Sequence, residues 1–256
     1  MSRFLLVLLA IGLSQVAGFD AADAQTTSAQ IEKADRLEDA DRFSDSLAIL
    51  KEAEKNNPHN AEILYRISRV ESELLDDLSD DAKKKSYAQE SVAYAQKAIE
   101  AAPQNSNAHL AAAIAYGMLT DYVDDKTKME YSKLIEADAE KAIELDPKND
   151  YAYLIIARWN FEMTQLNPVL KTIAEWLYGQ MPPASQNKAL EEFQKAIALA
   201  PNRIIHHYSY GDALERLGRK EQAKAEFQKV LQLTATDKED RGYQKRAASA
   251  LKAMER

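Results

Sequence analysis

The chain of 256 residues contains no cysteine. Disulfides, thiolate nucleophiles, cysteine-zinc sites and a lipid-modified N-terminal cysteine are excluded with it. Glycine and proline are scarce, seven of each, roughly half or less of the ordinary usage of about 5–7%. That scarcity argues against turn-rich sheet proteins and glycine-rich phosphate loops. Basic charge is also short: 33 Lys and Arg stand against 41 Asp and Glu, a net charge of −8. A nucleic-acid partner is not expected, because phosphate neutralisation needs a basic stripe. What remains, 46% hydrophobic and 29% charged residues, fits a helical globular chain of one or two domains.

The N-terminus reads as an address label. Arg3 precedes an apolar run from Phe4 to Leu13, and small residues lead to Ala22-Asp23-Ala24 before Gln25. A positive start, a short apolar core and an A-x-A site form the pattern of a secretory signal peptide. The run is about half the roughly 20 residues that span a bilayer. Residues 1–24 are therefore expected to be removed, with a cut after Ala17 as the alternative. The mature chain is expected without a membrane span, in the bacterial periplasm or secreted. Residues 25–30 read as a flexible lead-in, with Ser28 as one first helix cap.

The body repeats one pattern five times. Residues 46–53 lead to Pro58, 91–98 to Pro103, 135–142 to Pro147 and 189–196 to Pro201. A fifth copy, 223–230, runs on through Leu233 without a proline. Each copy has apolar residues at three- and four-residue steps, the mark of an amphipathic helix. The proline stops it. An asparagine follows (Asn60, Asn105, Asn149, Asn202) that can cap the next helix. About ten positions after each proline comes a small residue: Ser68, Ala113, Ala157 and Gly211, with Ala34 at the equivalent place in the first copy. Small side chains there let paired helices approach closely. This is the tetratricopeptide pattern, a helix-turn-helix of about 34 residues.

The prolines are 45, 44 and 54 residues apart. Relative to the repeat length of about 34 residues, the first two excesses come to roughly three helical turns. They fit longer helices in the same phase, joined around 76–85 and 121–130. The third contains a separate apolar stretch, residues 169–178, begun by Asn167-Pro168 and ended by Gly179 and Pro182-Pro183. Proline near the first turn and glycine after the last predict a short inserted helix. The fold expected is an all-α, right-handed tetratricopeptide-like solenoid over residues 31–236, with a capping helix over 237–256.

Further segments carry a closer likeness. They are Leu64-Tyr65-Arg66-Ile67, Lys84-Lys85-Ser86-Tyr87-Ala88, His109-Leu110-Ala111-Ala112 and Ala142-Ile143-Glu144-Leu145-Asp146-Pro147-Lys148-Asn149. Ala157-Arg158-Trp159, Met181-Pro182-Pro183-Ala184-Ser185, Lys238-Glu239-Asp240 and Gln244-Lys245 continue it. Over roughly residues 60–250 the chain resembles the regulator of microtubule dynamics proteins. The resemblance implies a helical-repeat domain without catalytic activity or cofactor. Some members associate with microtubules, and the member at mitochondrial contact sites holds phospholipid in its repeat domain.

In such a solenoid the first helix of each pair lines the concave face. The repeat register puts Glu62, Tyr65, Arg69 and Ser72 there, then Asn107, Leu110, Ile114 and Gly117. Tyr151, Leu154, Arg158 and Phe161 follow, and Ile205, Tyr208, Asp212 and Glu215 complete the face. This is a partner-binding groove with two arginines able to grip a carboxylate or phosphate. The plainer alternative pairs both arginines with acids of a neighbouring helix. Val169, Ile173, Trp176 and Leu177 of the insert are either a lid over an apolar channel or a helix filling a gap. Adjacent His206 and His207 point about 100° apart on a helix and cannot share one metal. No nucleophile elbow is present. The expectation is a non-enzymatic scaffold for a protein or peptide partner, with a lipid or apolar-ligand carrier as the alternative.

Overall fold

The computed structural model describes residues 12–180 and 184–255, and among them it contains twelve α-helices and no strand. The helices are α1 (Gly12–Glu38), α2 (Phe43–Asn56), α3 (Ala61–Leu74), α4 (Asp81–Ala101), α5 (Ser106–Leu119) and α6 (Asp125–Leu145). They continue as α7 (Asp150–Thr164), α8 (Pro168–Tyr178), α9 (Gln186–Leu199), α10 (Ile204–Arg216), α11 (Lys220–Gln232) and α12 (Lys238–Met254). Pairs α1/α2, α3/α4, α5/α6, α7/α9 and α10/α11 are the five repeats, with α8 inserted in the fourth. Most of the apolar run at 4–13 lies outside the described residues, as do Met181, Pro182 and Pro183. No described helix is long and apolar enough to cross a membrane.

The small residues sit where paired helices touch. Ala34, Ser68, Ala113, Ala157 and Gly211 are all buried, and so are Ala53, Ala98, Ala142, Ala196 and Val230 on the second helices. Ser68 makes its contact polar. Its hydroxyl lies 3.0 Å from that of Ser91, which donates to the Ser68 carbonyl at 2.8 Å and lies 2.9 Å from Ser72 Oγ. Gly211 leaves no room at all. A Cβ there would stand 2.8 Å from the Phe227 ring.

Asparagine caps hold three of the four expected starts. Asn60, Asn105 and Asn149 each accept backbone N–H groups through Oδ1. Asn202 does not cap α10. It stands one residue after its proline, whereas the others stand two after, so the capping place falls on Arg203, which offers no side-chain acceptor. Arg203 instead pairs with Asp150 at 2.7 Å and stacks over Tyr151.

The added length lies mainly in the second helices. α4 and α6 have 21 residues each, against 14 in α2 and 13 in α11. A turn of 3₁₀ helix precedes each long helix. Residues 25–30, expected as a lead-in, are helical within α1, and Ser28 lies inside that helix rather than at its start. Thr27 is buried and accepts a hydrogen bond from Asn57 Nδ2 at 3.0 Å, which docks this turn onto the second helix.

The first helices of successive repeats touch one another, α3 on α5, α5 on α7, α7 on α10 and α10 on α12. They therefore line the inner side of the curve. The helix α12 does more than cap the stack. Its first turn reaches back to the other end of the molecule: Lys238 N–H donates to Asp41 Oδ1 at 2.9 Å, and Arg241 Nη2 donates to Asp41 Oδ2 at 2.5 Å. Lys238 Nζ donates to both Asp77 carboxylate oxygens at 2.6 Å and lies over the Phe43 ring. Asp41 holds a left-handed conformation, φ 57°, in the α1–α2 turn. These contacts close the solenoid into a ring.

Candidate functional site

The inner face is built by repeating one geometric rule. On each first helix, residues about seven apart return to nearly the same azimuth. Tyr65, Arg69, Leu110, Ile114, Tyr151, Arg158, Tyr208 and Asp212 are all half-buried. Leu154 and Phe161 are not available to a partner. They are 0% and 2% exposed and belong to the core shared by α7, α9, α10 and α11. From Tyr151, Leu154 lies about 60° and Phe161 about 80° to one side, whereas positions 155, 158 and 162 stay within about 40° of it. Ile155 and Glu162 therefore take the places expected of Leu154 and Phe161. Ser72 is likewise buried, in the hydroxyl cluster with Ser91.

The two arginines have different fates. Arg69 is paired with Glu38 of α1. Arg158 donates through Nη2 to Ser209 Oγ at 2.7 Å and has no carboxylate within 4.0 Å among the described residues. It faces a cluster of which the inner-face register included only Tyr208. The Tyr208 and Tyr243 rings lie 4.9 Å apart, and Arg246 stacks on both, at 5.6 and 4.5 Å. Tyr243 is 8% exposed, and its hydroxyl donates to Glu239 at 2.9 Å. Burial pushes its ionisation up. Thus α12 supplies Glu239, Tyr243 and Arg246 to the inner wall. Its apolar residues alone announce packing, and nothing local in residues 237–256 shows which face they pack on.

The inserted helix α8 starts at the Asn167 cap and ends at Gly179, whose φ is 77°. It packs on α6. Ala174 is fully buried, and Ile173 and Leu177 pack against Met129, Trp159 and Met163. Val169 and Trp176 are 61% and 70% exposed. Of the half-buried inner-face side chains named above, Ile155 packs against this cluster and the others do not; the helix lies beside the long α6.

The histidines serve the turns. His109 and His207 occupy the same place in repeats three and five. Each has Nε2 at 3.0 Å from the carbonyl of its proline, Pro103 or Pro201. Each has Nδ1 on a carboxylate of the second helix, Asp138 at 2.8 Å or Glu226 at 2.7 Å. His206 is fully buried, with Nε2 at 2.7 Å from Asp150. Burial lowers its basicity, and Asp150 opposes that. Among the described residues no group of three or more His, Asp or Glu could hold a metal ion.

A family model described as Regulator of microtubule dynamics protein 1-3 matches residues 30–255. The chain belongs to that family. Regulator of microtubule dynamics protein 2 of Mus musculus is 25% identical over 228 residues, covering 88% of this chain and 56% of that protein. Regulator of microtubule dynamics protein 3 of Xenopus laevis is 27% identical over 140 residues, 55% of this chain and 30% of that protein. The chain spans about half the length of the family members matched along most of it. A thermophilic TPR protein of Thermus thermophilus superposes with a TM-score of 0.65 at 18% identity over 88% of this chain and 98% of that one. PilF of Pseudomonas aeruginosa does so with a TM-score of 0.54 at 12% identity over 91% and 90%. At such identities the likeness shows the fold alone. This regulator of microtubule dynamics family member is an all-helical, tetratricopeptide-like solenoid.

Proposed function

We propose that this chain is a non-enzymatic scaffold that recognises a protein or peptide partner through the inner face of its helical ring. The observation that carries the reading is the row of half-buried side chains on the first helices: Tyr65, Leu110, Ile114, Tyr151, Arg158 and Tyr208. Rigid helices pre-form this surface, so binding costs little ordering entropy. The family and the repeat fold support a role in recognition rather than catalysis. The leader pattern around Arg3 and Ala22-Asp23-Ala24 supports export, and on that reading the partner belongs to the cell envelope or the exterior rather than to microtubules. Cleavage after Ala24 would retain Thr27, Ile31 and Ala34, which are buried in α1.

Photo-crosslinking tests the reading. A benzophenone side chain is placed at Ile114 or Leu110 inside and at Ala198 or Ala225 outside, in the producing cell. The expected result is one discrete protein adduct from the inner positions and none from the outer ones. Equal labelling from both sets, or no inner adduct, rejects the scaffold. A co-purifying lipid in native mass spectrometry, with no adduct, would replace it by the carrier.

A further inference from the structure

Most arginines of this acidic chain are neutralised: Arg66 by Asp35, Arg69 by Glu38, Arg203 by Asp150 and Arg216 by Glu162. Arg158, Arg219 and Arg246 are the exceptions among the described residues; Arg219 is exposed at the start of α11, whereas Arg158 and Arg246 stand at one place. Arg246 stacks on the Tyr208 and Tyr243 rings. Arg158 lies in electrostatic reach of both tyrosine hydroxyls. The carboxylates that also face this place are already engaged or lie to its side. Asp212 leans to Arg216 at 3.9 Å, Glu239 accepts the Tyr243 hydroxyl, and Glu215 acts on Tyr208 from its own helix. Arg158 donates through one nitrogen to Ser209, a neutral partner that holds the guanidinium in position, and Asp212 reaches its charge only from beyond ion-pair distance.

We propose that Arg158 and Arg246, beside the Tyr208 and Tyr243 rings, form a seat for a carboxylate carried by the partner. This rests on the scaffold reading and names the chemistry its inner face selects. Planar forks match a carboxylate through paired hydrogen bonds. Stacking on two tyrosine rings pre-orients Arg246, so less freedom is lost on binding. Arg246 is exposed while Arg158 is half-buried, so a ligand meets the α12 fork first and settles against α7. The seat lies between α7, α10 and α12, and docking of the body of α12 on the stack assembles it.

The test uses the full chain with nitrogen-15 arginine side chains, followed by NMR during titration with sodium acetate against sodium chloride at matched ionic strength. The Arg158 and Arg246 Nε–H signals are expected to move together and saturate with acetate. Those of Arg66 and Arg203 are expected to stay still. Arg246→Gln, on an exposed helix face, should leave the fold intact and lower the apparent acetate affinity at Arg158 at least tenfold. Arg158→Gln should do the same at Arg246. Uniform movement of all arginines, no movement, or an unchanged Arg158 response in Arg246→Gln overturns the seat. Inorganic phosphate saturating at a tenfold lower concentration than acetate overturns the carboxylate assignment. If acetate fails while inner-face crosslinks still form, the seat falls alone. If acetate binds and crosslinks fail, the scaffold reading falls instead.

Discussion

Replacing Gly211 by alanine sets two known effects against each other. Alanine in a helix interior is favoured over glycine by about 1 kcal/mol. Against that, the new Cβ would stand 2.8 and 2.9 Å from two carbons of the Phe227 ring and 3.3 Å from Glu226 Cβ. Ordinary carbon contacts begin near 3.5 Å, so the ring must withdraw by roughly 0.7 Å. It has nowhere to go. Phe227 is 1% exposed, and the Tyr208 ring lies 5.8 Å from it. Overpacking of a closed core costs about 1–3 kcal/mol, so the net expectation is a loss of about 0–2 kcal/mol. The decisive quantity is the coupling with Phe227→Leu, which removes the ring. Urea denaturation of both single variants and the double variant should show a coupling of about 1–3 kcal/mol in favour of the double. If Gly211→Ala instead gains its full helix propensity, with no coupling, the small residue is not there for close approach. The helix-pair argument built on Ala34, Ser68, Ala113 and Ala157 then loses its sharpest case.

Glu71 is buried, 1% exposed, with Lys51 at 2.9 Å from one oxygen and no partner on the other. Burial raises its pKa to about 7, outweighing Lys51. Its stabilising share is full below the unfolded value and lost as pH rises through about 7, up to about 3 kcal/mol. Glu71→Gln should flatten the fall in urea midpoint between pH 5 and 8, and an unchanged slope would contradict the assignment. His207→Ala strips a partner from Glu226 and the Pro201 carbonyl and should cost about 1–3 kcal/mol. His59→Ala, on an exposed turn, should be neutral in the same melt. Lys238→Ala with Arg241→Ala removes exposed pairs of about 0.2–1 kcal/mol each. The melting temperature should barely move, while amide exchange in the first turn of α12 accelerates relative to wild type. Equal exchange rates in the two proteins would show that these ion pairs do not hold the ring closed. Trp176→Ser, on the outer face of α8, should leave stability within about 0.5 kcal/mol.

Features fixed by residue size and backbone chemistry were legible in the chain. Five small positions, the proline stops and the asparagine caps at two residues past proline follow from local sterics and hydrogen bonding. They place the helices before any tertiary fact is known. Asn202 failed because the offset from Pro201 is one residue, a detail the backbone counts and composition does not. Leu154 and Phe161 failed for a different reason. A register taken at fixed repeat places ignores the helical drift that turns them toward α9 and brings Ile155 and Glu162 inward. The role of α12 was out of reach altogether. Its contacts with Asp41 join residues nearly 200 positions apart, and nothing in the spacing of Lys238 and Arg241 names that partner.

Ring closure also sets how the inner face can be reached. The groups that close it, Lys238 with Asp77 and Arg241 with Asp41, are between one-quarter and one-half exposed. Such pairs are screened by salt and each contributes little. The body of α12 is held otherwise, by burial of Tyr243 and Ala247 and by Gln244 bonding the carbonyls of Val230 and Leu233. The first turn can therefore release while the rest stays docked. Three weak contacts sum to roughly 1–3 kcal/mol, an open population between a tenth and a hundredth. A partner entering from that side loses about ten- to a hundredfold in affinity to closure. Asp41 adds a direction to this. The Lys238 amide, and then Arg241, hold its pKa below the usual carboxylate range, so its grip is present above that range and fades as pH falls through the lowered value. Acid and salt thus loosen the same turn, and each should raise the on-rate of any ligand that must pass α12 to reach Tyr65 and Ile114.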